Sequence, residues 1–237
     1  MRALLLAAGL GTRLRPLTDG VPKCLIPIHG VPLIDYWFAL LFTGGIERVL
    51  VNTGHLAERV ETHLQACRWR DRVDSVHEPE LLGTGGTVLA NRAWFAGDAF
   101  LVAHADNLTR FDLAGLRARH KARPRGCAIT MMTFTTDDPR SCGIVEEDAN
   151  GIVVGFHEKV ADPPGTHANA AVYVFEPEVL ALMAGLGQRV IDLSTEVIPR
   201  FIGRIVTFHN NGYHRDIGTP ESLRLARAEF PPPAADG

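Results

Sequence analysis

Along the chain, short and nearly continuous apolar runs alternate with longer segments in which apolar residues return at helical spacing. The runs at 3–8, 48–52, 73–77, 100–104 and 127–134 have the length and composition of strands. The segments at 32–44, 56–67, 86–94 and 113–121 read as helices, the first opening with proline near its first turn and closing on Gly44-Gly45. Such alternation predicts right-handed βαβ crossovers and a mixed, mainly parallel sheet flanked by helices, a Rossmann-like α/β fold. Past residue 140 the pattern changes. Residues 143–147, 152–158 and 170–175 read as antiparallel strands, the first two joined by an Asp148-Ala149-Asn150-Gly151 turn. Helices are expected at 177–184 and 192–201, short strands at 205–208 and 213–215, and a last helix at 220–228. No repeat or linker interrupts this order. The expectation is one domain over 1–228 and a flexible tail over 229–237.

Chemistry concentrates after the first strand. Its apolar run suits a central strand buried on both faces, and the loop that leaves its carboxyl end, Gly9-Leu10-Gly11-Thr12-Arg13, stands where open α/β sheets bind ligands. Gly9 and Gly11 let a polyphosphate approach the backbone N–H groups, and Arg13 and Lys23 supply positive charge. A nucleoside triphosphate is the expected guest. The dinucleotide fingerprint requires glycine where Leu14 stands, and the P-loop requires a Gly-Lys-Ser/Thr triplet that the chain lacks.

A second glycine cluster, Gly83-Thr84-Gly85-Gly86, sits between a strand and a helix, where helix-start N–H groups could meet a flat ligand; a plain flexible turn is the competing reading. Asp106 follows the 99–105 strand and Asp216 precedes Ile217-Gly218. Either acid could cap a helix. Alternatively, the Mg2+ that accompanies a triphosphate takes one or two carboxylates plus phosphate oxygens, so two acids from distant parts of the chain suit it.

The pattern Gly-x-Gly-Thr-Arg-Leu-x-Pro-x-Thr at 9–18, followed by Pro22-Lys23-Cys24-Leu25-Ile26-Pro27, resembles the sugar-1-phosphate nucleotidyltransferases. The resemblance implies a nucleotidyltransferase or glycosyltransferase-A-like fold with a small antiparallel sugar-binding part. It assigns the nucleotide to Leu6, Ala8, Gly9, Gly11, Thr12, Arg13, Lys23, Glu78, Gly83 and Thr84, with Arg13, Lys23 and Asp106 catalytic and Asp106 and Asp216 holding Mg2+. Cys142-Gly143-Ile144-Val145, Phe156-His157-Glu158-Lys159 and Asn169-Ala170-Ala171-Val172-Tyr173 match the sugar-binding segments, which assigns the sugar phosphate to Gly143, Glu158, Lys159 and Asn169. Two departures stand out: His104-Ala105 precedes Asp106 where Gly or Asn-Ser is common, and Ala171 replaces the usual Gly. The Gly-Gly form of the second cluster is similar to guanylyltransferases, which favours GTP with mannose-1-phosphate. A heptose-1-phosphate guanylyltransferase, an enzyme using UTP, dTTP or CTP, and a non-catalytic regulatory subunit that binds sugar nucleotides remain alternatives. The presence of Arg13, Lys23, Asp106, Asp216 and Lys159 together favours an enzyme.

Composition narrows the partners. A net charge of -3 over 237 residues gives no basic footprint for nucleic acid, and no apolar stretch approaches the ~20 residues that span a bilayer. Four cysteines lie too far apart for a zinc knuckle, and ten histidines show no ligand spacing. A cytoplasmic enzyme is expected, acting on an NTP and a sugar-1-phosphate, with no nucleic acid or membrane partner and a homo-oligomer left open.

Overall fold

The computed structural model describes residues 1–232, so the end of the expected tail lies outside the described residues. In chain order the elements are β1 (Ala3–Leu6), α1 (Leu17–Gly20), β2 (Pro27–Ile28), β3 (Val31–Pro32), α2 (Leu33–Thr43), β4 (Val49–Thr53), α3 (Ala57–Ala66) and β5 (Val73–His77). There follow α4 (Gly83–Ala90), β6 (Phe100–His104), β7 (Asn107–Thr109), α5 (Leu113–Lys121), β8 (Ile129–Thr135), β9 (Gly143–Glu147), β10 (Val153–Glu158) and β11 (His167–Phe175). The chain closes with α6 (Pro177–Gly185), β12 (Ile205–His209), β13 (His214–Asp216) and α7 (Pro220–Glu229).

The main sheet runs β5-β4-β1-β6 in parallel, as the βαβ pattern predicts, and then meets β11 antiparallel to β6. On the far edge of β11 lies β8, parallel to β12, while the β9-β10 hairpin joins through Ala168 of β11. The sheet is therefore mixed and mainly parallel. Within the apolar runs, alternate residues feed two cores. Ala3, Leu5, Val49, Val51, Leu101 and Ala103 face α2, α3 and α5, whereas Leu4, Leu50, Phe100 and Val102 face Val88 of α4 and Met183 of α6. Continuous hydrophobicity is the mark of a strand covered on both sides, and burying each such side chain contributes about 1.5–3 kcal/mol.

Three local departures from the sequence pattern have identifiable causes. The expected 192–201 helix is instead one wide turn over Leu193–Val197 followed by a 3-10 turn over Ile198–Phe201, where Pro199 lacks the N–H that would continue an α-helix. Strand β11 carries a bulge between Asn169 and Tyr173, with Ala171 at φ 52 and its N–H donating to Asn169 Oδ1 at 3.0 Å. Helix α7 extends to Glu229, and the buried Phe230 ring lies edge-on to Tyr36 at 5.3 Å and Tyr213 at 5.2 Å. Packed chain thus passes the 228 boundary expected for the domain. No helix of the described residues is long and apolar enough to cross a membrane.

The fourth departure corrects a reading of the glycines. Helix α4 begins at Gly83, so the second cluster forms its first turns, and the N–H groups of Gly85 and Gly86 donate to Ile191 O at 2.8 and 3.1 Å. Those donors are not free for a ligand. A Cβ on Gly83 would stand 2.5 Å from Ile191 O, and one on Gly86 2.6 Å from Arg189 O. Close packing of α4 on the 189–192 segment is what requires these glycines. Gly86→Ala should therefore lower unfolding stability by about 1–3 kcal/mol in urea denaturation, through overpacking against backbone; unchanged stability would show that the helix can shift without cost.

Candidate functional site

The loop after β1 is built for an anion. Asn52 of β4 accepts from Ala7 N at 2.6 Å and fixes where the strand ends. Beyond it, the N–H groups of Gly9, Leu10 and Gly11 have no partner among the described residues. A Cβ at Gly9 would meet nothing within 4 Å, so the backbone there is open to approach. Gly11 answers to its own turn. It sits at φ 63, a Cβ would lie 2.9 Å from Thr18 Cγ2, and its carbonyl accepts from Thr18 Oγ1 at 2.8 Å. Thr12 opens a short 3-10 turn, and Arg13 within it is 65% exposed, its Nη2 3.5 Å from Asp216 Oδ2.

Two remote acids meet at one ammonium. The β7-β13 ribbon pairs Asp216 with Asn107, which sets it beside Asp106 at the end of the β6 segment. Lys23, just before the β2-β3 hairpin, is buried and its Nζ donates to Asp106 Oδ2 at 2.7 Å and Asp216 Oδ1 at 2.9 Å. Burial alone would push the Lys23 pKa down, but the two carboxylates more than offset it and hold the group above its ordinary value. Asp106 moves the other way. Burial works to raise it, and the Lys23 charge, with His104, brings it below the usual carboxylate range. His214, half-buried on the same ribbon, is pushed down to about 3 by desolvation and stays neutral despite Asp106 nearby. Behind Lys23, burial raises the Cys24 thiol to about 12, which makes it inert.

Leu6, Ala8, Gly9, Lys23, Glu78, Gly83 and Thr84 of the expected nucleotide set line one pocket, together with Asp106. Gly11, Thr12, Arg13 and Asp216 do not line it. Glu78 is 6% exposed, and its Oε1 is buried without a hydrogen-bond partner among the described residues. Asn52 and His104 also line the pocket and escaped the sequence reading. Asn52 offers no motif, only an amide at a strand end; His104 had shown itself as a departure beside Asp106.

The sugar set forms a second group on the adjoining strands. Gly143 of β9 pairs with Glu158 of β10, and a Cβ there would stand 2.6 Å from Glu158 Oε2. Lys159, at φ 49 and 64% exposed, reaches Glu158 Oε1 at 3.1 Å. Asn169 Nδ2 donates to the Tyr173 hydroxyl at 2.7 Å. Gly143, Glu158, Lys159 and Asn169 are absent from the lining of the pocket that holds Lys23.

Among the described residues no group of three or more His, Cys, Asp or Glu could by itself hold a metal ion. Two convergent carboxylates, however, are the protein share that Mg2+ takes when phosphate oxygens complete its shell, and Asp106 and Asp216, both on Lys23 Nζ, are the residues that could supply it.

A mannose-1-phosphate guanylyltransferase of Mycobacterium tuberculosis is 33% identical over 99% of this chain and 67% of its own length. A UTP-glucose-1-phosphate uridylyltransferase of Synechocystis is 32% identical over 88% of the chain and 57% of its own length. The chain thus spans between 57% and 67% of these two relatives. In three dimensions it matches a Bacillus anthracis protein provisionally assigned as a glucose-1-phosphate thymidylyltransferase and solved with sucrose, at TM-score 0.86 and 20% identity, covering 100% of this chain and 97% of that one. That likeness shows the fold. Residues 2–231 match the nucleotidyl transferase family, and the chain belongs to it.

Proposed function

We propose that the protein is a sugar-1-phosphate nucleotidyltransferase that uses GTP and mannose-1-phosphate. The observation that carries this reading is the cluster of Lys23, Asp106 and Asp216 beside a loop with three unpartnered N–H groups, at the carboxyl edge of the sheet. It is a site for several phosphates and a cation. A sugar-1-phosphate oxygen, anionic at neutral pH, forms a bond to the α-phosphorus while the bond to the β-phosphate oxygen breaks and pyrophosphate leaves with the electron pair. No general base is required. The task is to align two polyanions and stabilise growing charge.

The 9–11 backbone and Arg13 hold the β and γ phosphates, Lys23 supports the α-phosphate, and Lys159 with Glu158 receives the sugar phosphate and its hydroxyls. Mg2+, when held by Asp106 and Asp216, supplies further neutralisation of phosphate charge. For this to happen Lys23 exchanges carboxylate contacts for phosphate ones, which suits a flexible point charge.

Support for guanine comes from Glu78 and no longer from the glycine cluster. A buried carboxylate with a free oxygen accepts from adjacent donors, and the guanine edge offers two, the ring N–H and the exocyclic amine. Uracil and thymine offer a single ring N–H flanked by carbonyls. The similarity to the Synechocystis uridylyltransferase favours UTP as the second reading.

Pyrophosphate release across a panel of NTPs and sugar-1-phosphates tests the function directly. Lys23→Ala should lower kcat by ~100-fold or more in a folded protein, since the lost charge acts on the transition state; activity within a few-fold of wild type removes the reading. Asp216→Asn should raise the Mg2+ needed for half-maximal rate by about tenfold, and turnover undiminished in excess chelator would leave the two acids as structural groups. Glu78→Gln should cost roughly 10- to 100-fold in kcat/KM for GTP and less for UTP, because a carboxamide presents one donor and one acceptor to two donors. A wild type that prefers a pyrimidine nucleotide overturns the guanine assignment and leaves nucleotidyl transfer intact.

A further inference from the structure

Most polar side chains of the pocket wall are already engaged. Lys23 meets Asp106, Asn52 holds Ala7 N, Thr84 bonds Asp192, and Thr87 donates to Gly83 O. Glu78 and His104 are different. Glu78 has an unpartnered oxygen at the base end, and His104, the last residue of β6, makes no hydrogen bond among the described residues. A polar ring that lines a pocket without a protein partner is a group held for something that enters.

Its place in the sheet says what enters. Parallel pairing sets His104 beside Leu6 of β1, while on the other side β11 pairs Val172 with Ala103, which brings Ala171 next to His104. Reading across the carboxyl edge from β5 to β11, the order is Glu78 after β5, the phosphate loop after β1, His104 at the end of β6, and the bulge with Asn169 in β11. His104 is therefore the junction between the nucleotide pocket and the sugar group. Phe100 and Val102 of the same strand face the core that α4 covers, and His104 continues that face toward Thr84. Lys23, Asp106 and Asp216 already serve the phosphates.

We infer that His104 hydrogen-bonds a ring hydroxyl of the sugar and is a specificity-determining residue for the sugar-1-phosphate, an inference that rests on the proposed nucleotidyl transfer. An imidazole ring carries two nitrogens that can hydrogen-bond a hydroxyl, which itself both donates and accepts, whereas a phosphate oxygen uses donors alone. Leu6, opposite, gives the apolar surface that the C–H face of a pyranose prefers. The departure at position 104 thus belongs to the choice of sugar.

Calorimetric titration of the full chain with a nucleotide sugar and with its nucleoside monophosphate tests this without turnover. GDP-mannose is compared with GMP, and UDP-glucose with UMP, and the nucleotide sugar that wild type binds more tightly is decisive. His104→Ala should weaken that nucleotide sugar by about five- to tenfold, the loss of one hydrogen bond, and change the monophosphate less than about twofold. His104→Gln, whose amide both donates and accepts, should recover part of the loss. Equal weakening of both ligands, or no change in the nucleotide sugar, overturns the assignment. Pyrophosphate release by wild type, measured in parallel, reports on the proposed function separately: release that persists while His104→Ala leaves sugar affinity untouched sinks His104 alone.

Discussion

One ammonium held between two carboxylates ties this molecule together. Lys23 comes from the segment before the β2-β3 hairpin, Asp106 from the end of the β6 run, and Asp216 from the β7-β13 ribbon, at sequence separations of 83 and 193 residues. A buried lysine without partners costs several kcal/mol, so Lys23 depends on the two more exposed carboxylates, whose mutual repulsion it relieves in turn. Such a cluster contributes little net stability. Its value lies in being a preorganised set of charges gathered at the carboxyl edge of the sheet.

Around that cluster the sheet acts as a ruler. Strands about 4.8 Å apart carry, from one edge inward, the Glu78 end, the Asn52 amide, the phosphate loop, His104 and the Asn169 bulge. The parallel half presents loops and backbone donors, suited to anions. The antiparallel half presents side chains on a bulged strand, suited to hydroxyls.

Much of this was legible in the amino acids, and the exceptions share a cause. Strands β1, β4 and β6 announce themselves because burial on both faces demands unbroken apolar runs, and the first loop because Gly9, Arg13 and Lys23 combine openness with charge. What escaped depends on partners distant in the chain. Glycine disfavours helices, so α4 reads as beginning at 86, yet it begins at Gly83 because residues 189–192 press on it. Asp106 and Asp216 read as ligands of a cation, and nothing local announces that Lys23 stands between them. Asn52 and His104 carry no motif; their roles exist only once neighbouring strands are paired. Ala171, which stands where Gly is usual, occupies a left-handed position in a bulge and donates its N–H to Asn169 Oδ1.

The C-terminal aromatic cluster has a consequence for how the chain comes into being. Phe230 rests on Tyr36 and Tyr213, and through them α7 fastens the ribbon that bears Asp216 to the N-terminal half. During synthesis the β1 loop, Lys23 and Asp106 all emerge long before that ribbon, so a growing polypeptide has the lysine and one acid but neither the second acid nor its clamp. The first strand can pair early. The acid pair around Lys23 is therefore complete only after β13 has emerged and Phe230 has docked on Tyr36 and Tyr213.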